Sequence, residues 1–298
     1  MEIAKKRSKY NRPQMIMGYL LILPAMILFA VFFIYALGEA FRYSLMDWNG
    51  IGEMTNIGLK NYADLLRDRT FWMSFLNNWY YALGIVVFGV IPGLVLAYIL
   101  SQPYIRGRVI FRTVYFFPRI ISAVIYGAVW KWIYDPRRGL LPLILSALGH
   151  KGSVALLGNA KTVMLGVTIT GGWTYFGFCM VILLAGFMSV DTSLRESALL
   201  DGANRFQIFV SVDIPQIRPV LNTLFVYTII DSFKVYDLIL VMTNGGPNEA
   251  SQIMTYYIYK QAFRLNHYGY GSAAAILLGL LMIAFTLIYN SLHERQRP

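Results

Sequence analysis

The sequence predicts an all-α, polytopic membrane protein with about six transmembrane helices in a single domain that covers residues 1–298. Hydrophobic residues make up 57% of the chain and charged residues only 14%, whereas soluble domains carry about 25% charged residues. The hydrophobic residues are gathered into six runs, each near the roughly 20 residues that a helix needs to cross the hydrocarbon core. These runs cover residues 15–38, 77–100, 109–133, 162–188, 217–243 and 271–291.

The first run is predicted to be a retained transmembrane helix. A basic cluster precedes it, made of Lys5, Lys6, Arg7, Lys9 and Arg12. The run of residues 15–38 is longer than the roughly 7–15 apolar residues of a cleaved signal peptide. Because basic connections tend to stay on the cytoplasmic side of a membrane, we expect both termini to be cytoplasmic.

The connections on the predicted outer side are too short for a folded domain. Residues 60–77 are predicted to form an amphipathic helix at the outer interface, anchored by the aromatic residues Tyr62, Phe71 and Trp72. The net charge of +11 is attributed to topology and to anionic lipid headgroups rather than to nucleic acid, because Lys and Arg lie mostly between the apolar runs. The single cysteine, Cys179, excludes a disulfide framework and a Cys-rich metal site.

The connection of residues 189–216 predicts a short helix that lies parallel to the membrane. Ser193 and Glu196 have the spacing of a capping box, and Gly202 is placed to end the helix with a left-handed residue. An apolar stripe follows from Leu194, Ala198 and Leu199. From these residues alone, the helix either completes a turn at the interface or offers a face to a partner.

The same connection resembles the EAA loop of binding-protein-dependent ABC transporter permeases. The resemblance lies in Glu196-Ser-Ala-Leu-Leu-Asp-Gly-Ala203 and in Ile214-Pro215, with Ser197 in place of an alanine and Ile214 in place of the usual leucine. In that family the loop forms a coupling helix that sits in a cleft of a cytoplasmic ATPase. The resemblance implies this role for Glu196, Ala198, Leu199, Asp201, Gly202 and Ala203. It also implies that ATP and Mg²⁺ are bound by the partner ATPase, and that this chain binds no cofactor.

Further residues resemble the carbohydrate-uptake branch of that family. The resemblance is carried by Tyr236-Asp-Leu-Ile-Leu-Val-Met-Thr-Asn-Gly-Gly-Pro247 and, beyond it, Tyr257-Ile-Tyr-Lys260. It implies a sugar substrate, a bacterial inner-membrane location and several partners: a second homologous permease, two ATP-binding subunits and an extracytoplasmic solute-binding protein. The outer loop made of Asn244, Gly245, Gly246 and Pro247 is either an ordinary turn or a structured element near the binding-protein contact.

Three charged residues of the fifth run are candidates for the substrate pathway. Asp231, Lys234 and Asp237 recur every three residues, which would place them near one helix face. Ionisable residues in a membrane usually face the bundle interior or a water-filled path, so we expect the set to face inward. It either ties helices together or lines a sugar path with Tyr227, Tyr236 and, less strongly, Trp173. Arg119 is expected to pair with an acidic neighbour or to extend to the interface.

Motifs of several enzyme classes are missing from the sequence. There is no Gly-x4-Gly-Lys-Ser/Thr phosphate loop, no His-Glu-x2-His and no Gly-x-Ser-x-Gly. We therefore expect a transport subunit with no catalytic residue, no metal site and no ATPase site of its own. An ion-gradient-driven secondary transporter, which inverted repeats would support, and a polytopic membrane enzyme are the alternatives.

Overall fold

The computed structural model describes residues 12–149, 152 and 154–294. Within those residues the fold is helical apart from one antiparallel pair of two-residue strands, β1 (Met46–Asp47) and β2 (Thr55–Asn56). The helices are α1 (Arg12–Phe29), α2 (Ala36–Ser44), α3 (Lys60–Arg67), α4 (Arg69–Ile85), α5 (Ile91–Ser101), α6 (Arg108–Ile120), α7 (Ala123–Ile133), α8 (Leu140–Ala147), α9 (Val163–Met188), α10 (Thr192–Leu200), α11 (Arg205–Ile208), α12 (Ile214–Ser232), α13 (Asp237–Met242), α14 (Met254–Tyr259) and α15 (Tyr268–Glu294). Four π-helical segments cover Ala30–Tyr35, Val86–Val90, Phe209–Asp213 and Lys260–Arg264. The all-α prediction is confirmed.

Four stretches of the described chain are long and apolar enough to cross a membrane unbroken. They are Ile16–Ser44, Arg69–Ser101, Val163–Met188 and Tyr268–Leu292, which correspond to the first, second, fourth and sixth predicted runs. The second span starts earlier than predicted, so the expected interfacial helix of residues 60–77 ends already at Arg67. Phe71 was predicted as an interface anchor, but it is buried in α4 against Tyr257, because its ring fills a contact between helices.

The third predicted span, residues 109–133, is not one helix. Its two halves, α6 and α7, meet at an angle of 94°. Ile121 and Ser122, which separate them, have extended backbone angles, and hydropathy does not detect such a bend because both halves are apolar. With the bent pair counted as one span, the described residues contain up to five candidate spans rather than six.

The fifth predicted span, residues 217–243, is also interrupted. Helix α12 ends at Ser232 and α13 begins at Asp237, and α12 is not among the long apolar helices. The hydroxyl of Thr255 donates a hydrogen bond to the carbonyl of Val235 inside the break. An interruption at membrane depth requires partners of this kind, because a freed backbone group finds no water in lipid.

Helix α9 forms the centre of the bundle and packs against α4, α5, α6 and α12. Small residues bring the backbones close together, as at other helix contacts in membranes. A Cβ atom on Gly177 would lie 1.8 Å from the carbonyl oxygen of Tyr115 in α6, and one on Gly93 would lie 2.7 Å from the Cβ of Cys179. The central residues of the first span, in contrast, are not buried by this chain.

Candidate functional site

Helix α10 lies in the predicted connection, but it begins differently from the prediction. Its N-cap is Asp191, whose Oδ1 accepts a hydrogen bond of 2.9 Å from the backbone N–H of Ser193. The predicted capping box of Ser193 and Glu196 is therefore wrong, because the carboxylate two residues earlier takes the capping position. This hydrogen bond also holds the pKa of Asp191 below its ordinary value.

A capping box does form at the next helix, where Asn204 and Gln207 bond each other's backbone N–H groups. The end of α10 follows the prediction, since Gly202 has a left-handed φ of +81°. Nothing lies within 4 Å of a Cβ atom built at Gly202. A substitution at Gly202 would thus cost backbone strain but would cause no steric clash.

The apolar side chains of α10 are exposed. None of its residues is buried, and Leu194, Leu199 and Leu200 are exposed by 49%, 58% and 90%. Leu200 was missed by the predicted stripe, although its apolar character was visible in the sequence. Glu196 and Asp201 are exposed beside these leucines, while Ala198 and Ala203 are half-buried.

One buried ion pair fastens α10 to the start of α12. Arg195 Nε donates to Asp213 Oδ1 over 2.6 Å, and Asp213 is only 1% exposed. The backbone N–H of Asp191 adds a hydrogen bond of 3.3 Å to Gln216 Oε1. Sequence reasoning missed this pair, because its members are distant in the chain and only the fold brings them together.

A second ion pair joins the two interrupted segments. Arg119 Nη2 in the last turn of α6 lies 3.1 Å from Asp231 Oδ2 in the last turn of α12, which confirms the expected acidic partner. The guanidinium carbon also lies 4.8 Å from the ring centre of Tyr175 and 5.2 Å from that of Phe178. Arg119 therefore sits where α6, α9 and α12 meet, directly before the bend of the third segment.

The three charges of the fifth run do not share a helix face. Asp231 lies in α12, Lys234 lies in the break and Asp237 is the first residue of α13. Lys234 and Asp237 are exposed on this chain, so their orientation toward the interior of an assembled transporter stays a prediction. The helical spacing misled the prediction of one shared face, because α12 ends at Ser232 and a new helix begins at Asp237.

The aromatic candidates occupy different surroundings. Tyr227 is 43% exposed and its ring centre lies 5.3 Å from that of Phe178, next to the Arg119 pair. The ring of Tyr236 lies 5.0 Å from that of Tyr259. The ring of Trp173 lies 5.6 Å from that of Trp130 in α7.

The loop of Asn244, Gly245, Gly246 and Pro247 is closely built. Asn244 has a φ of +53°, and the Gly246–Pro247 peptide bond is cis. Asn244 Oδ1 accepts hydrogen bonds from the hydroxyl of Tyr256 at 3.0 Å and from Nη2 of Arg264 at 3.1 Å. Any Cβ on Gly245 would lie 2.7 Å from the ring of Tyr256, so this position requires glycine for space as well as for its positive φ.

Comparison with known proteins places this architecture in a family. Residues 89–298 match the family model described as the binding-protein-dependent transport system inner membrane component. The chain belongs to this family. The permease is thus an inner-membrane component of an ABC transport system rather than a secondary transporter.

Individual relatives agree with the family assignment. The permease is 33% identical, over 92% of its length and 94% of the relative, to a probable ABC transporter permease of Bacillus subtilis. It is also 33% identical, over 95% of both chains, to the trehalose/maltose transport system permease of Thermococcus litoralis. A solved bacterial ABC transporter for the import of the acidic polysaccharide alginate contains a chain of the same fold. The TM-score is 0.84 at 22% identity, over 96% of this chain and 98% of that one.

Proposed function

We propose that this permease carries a sugar or oligosaccharide into the cell as one subunit of an ATP-driven importer. It would assemble with a second homologous permease, two ATP-binding subunits and an extracytoplasmic solute-binding protein. Its similarity to a trehalose/maltose transport permease and to a multiple sugar-binding transport permease of Streptococcus mutans supports a carbohydrate substrate. ATP and Mg²⁺ would be bound by the ATPase, and the permease would supply the path.

The observation that carries the proposal is the uncovered apolar face of α10. A helix face that meets water and exposes its leucines by 49–90% costs free energy unless another protein covers it. The face belongs to a short helix, and the ion pair of Arg195 and Asp213 holds that helix against the bundle. In this proposal the coupling surface is formed by Glu196, Ala198, Leu199, Asp201, Gly202 and Ala203, with Leu200 added by its exposure. The α10 end of the bundle, and both termini, would then be cytoplasmic.

The proposed sugar path follows the interrupted segments. Broken helices in transporters often mark substrate sites, because they expose backbone groups and charges at membrane depth. Asp231 and Asp237 lie on either side of the break after α12, and Lys234 and Tyr236 lie within it. Tyr227 adds an exposed ring and hydroxyl next to Asp231. Trp173 packs on Trp130 and would support the wall of the path through this ring contact.

Co-purification tests the proposal directly. Tagged permease, extracted from its own membranes, should bring with it an ATPase and a second permease. Gly202→Trp and Glu196→Lys should leave the permease at its normal level but release the ATPase or abolish its stimulation by loaded binding protein. Gly52→Trp is a matched control, because Gly52 also has a positive φ of +83° with open space around it. If Gly202→Trp and Glu196→Lys both kept a fully stimulated ATPase, α10 would not be the coupling element.

A transport assay tests the path separately. Asp237→Ala should reduce uptake of the sugar that the wild-type system transports at least tenfold, while the complex still assembles. The complex should still assemble because Asp237 is exposed beside the break and contributes little packing to the fold. Asp64→Ala, which removes an exposed carboxylate from α3, is the control. Normal uptake by Asp237→Ala would remove this residue from the pathway.

A further inference from the structure

Helix α12 is held by an ion pair at each of its ends. Asp213 directly precedes the helix and pairs with Arg195, whereas Asp231 lies in its last turn and pairs with Arg119. The two carboxylates are 18 residues apart (231 − 213), which corresponds to roughly 27 Å along a helix. That length approaches the hydrocarbon thickness of about 30 Å, so α12 connects two distant levels of the bundle.

The first pair gives α10 a stiff connection to the bundle. The distance of 2.6 Å and the 1% exposure of Asp213 describe a charge-assisted hydrogen bond that is largely shielded from water. Helix α10 has no buried residue of its own. A displacement of α10 would therefore reach the start of α12 through the Arg195 ion pair, together with the hydrogen bond to Gln216 and the connecting α11.

The second pair lies at the hinge of the bent segment. Arg119 comes two residues before Ile121, where the extended backbone of the bend begins. Its guanidinium is also placed against the rings of Tyr175 and Phe178 in α9. A movement of α12 that carries Asp231 would thus pull Arg119 relative to the central helix and change the angle between α6 and α7.

We propose that α12 transmits displacement of α10 to the bend between α6 and α7 through these two ion pairs. Arg195, Asp213, Asp231 and Arg119 are then positioning residues for translocation. The inference rests on the proposed function, because it takes α10 as the helix that the ATPase moves. Loss of either pair should uncouple the bend from the ATPase without releasing the ATPase.

The test measures a distance in the complete transporter. Spin labels are attached to cysteines introduced at Val124 in α7 and Ile99 in α5, two exposed positions, while the native Cys179 is fully buried and stays in place. The distance between the labels is recorded without nucleotide and with ATP plus vanadate. The wild type should show a nucleotide-dependent shift. Asp213→Asn and Asp231→Asn, which keep the side-chain shape, should each reduce that shift at least threefold with the ATPase still bound.

Two further variants sharpen the test. The exchange Arg195→Asp with Asp213→Arg restores opposite charges and should recover most of the shift. Lys260→Gln breaks an ion pair of 2.5 Å with Glu249, in which neither residue belongs to α10, α12 or the bend, and it should leave the shift unchanged. This control separates the loss of a particular pair from the general effect of removing a charge.

Three results would overturn the inference. The first is a wild-type shift in both Asp213→Asn and Asp231→Asn. The second is release of the ATPase by Asp213→Asn, which would show that the pair only secures the docking helix. The third is a wild-type complex that shows no shift although the ATPase is bound. Failure of the wild type to bind any ATPase is a distinguishable result, since it would overturn the proposed function itself and this inference with it.

Discussion

The two ends of the protein differ in how they are stabilised. At the end that carries α14, buried and half-buried polar side chains join one helix to the next. Asp68 is the clearest case, because its Oδ1 caps α4 by accepting from the N–H groups of Thr70 and Phe71. Its Oδ2 accepts from the hydroxyls of Tyr257 at 2.6 Å and Tyr270 at 3.1 Å. One carboxylate thereby joins α4, α14 and α15.

The opposite end, which carries α10, has few contacts of this kind. Helix α10 has no buried residue, and it is fastened by the Arg195 ion pair and by the hydrogen bond to Gln216. Its leucines meet no other part of the described chain closely enough to be buried. The comparison indicates that hydrogen bonds within this chain fasten the helices of the α14 end to one another, whereas α10 is held by few contacts and its leucines are uncovered.

The largest effect on stability is expected at Asp68. The change Asp68→Ala removes the N-cap of α4, worth about 1 kcal/mol, and leaves the buried hydroxyl of Tyr257 with only a hydrogen bond of 3.3 Å to the hydroxyl of Tyr270, at a further cost of about 1–3 kcal/mol. The free energy of unfolding of the purified permease should thus fall by about 2–4 kcal/mol. Denaturant titration in detergent measures it, with Asp64→Ala as the exposed control at less than about 0.5 kcal/mol. Equal losses in the two variants would contradict the assignment of the α14 end as the stable one.

The long spans could be read from the sequence, because hydropathy is a local property. The run of residues 162–188 agrees with Val163–Met188 to within one residue. The bend after Ile120 and the break after Ser232 could not be read in the same way. The α6–α7 pair is apolar enough as a whole to pass for one span, and the contact of Arg119 with Asp231 near both interruptions joins residues 112 positions apart.

The candidate sites were predictable only where one strong signal stood alone. Gly202 is such a case, since it is the only glycine near the end of α10 and glycine is the residue most favoured in a left-handed helix end. At the start of that helix, Asp191 and Ser193 were both suitable caps, and spacing alone favoured the wrong one. The partner of Arg195 could not be predicted, because the approach of Asp213 depends on the turn through α11.

A smaller effect on stability, but a large one on assembly, is expected at the tip of α10. Leu200 is 90% exposed, so Leu200→Ser should change the free energy of unfolding by no more than about 0.5 kcal/mol. The same change should weaken retention of the ATPase, because it places a hydroxyl in the proposed interface. Co-purification and denaturant titration are measured on one preparation. Leu148→Ser, at another exposed leucine, is the matched control, and an ATPase yield equal for both variants would contradict a docking role for α10.

The smallest effect is expected from the cap at Asp191. The hydrogen bond donated by Ser193 lowers the pKa of this carboxyl, so its contribution is present above the ordinary value of about 3.9. It is lost as the pH falls through the lowered value. Amide hydrogen exchange in the first turn of α10 should therefore be slow from pH 5 to 8, after correction for intrinsic rates, and faster near pH 3.

Asp191→Ala should show the faster exchange at every pH, because it has no carboxylate to titrate. Asp135→Ala is the matched control at the other end of the protein. Asp135 Oδ1 accepts from the N–H groups of Arg137 and Arg138, and these hydrogen bonds likewise lower its pKa. Loss of the Asp135 carboxylate should speed amide hydrogen exchange only in the turn that contains Arg137 and Arg138. If α10 exchanged equally fast with and without the Asp191 carboxylate, its order would come from the Arg195 ion pair and the backbone hydrogen bond to Gln216, and the cap would not help to hold the docking face in place.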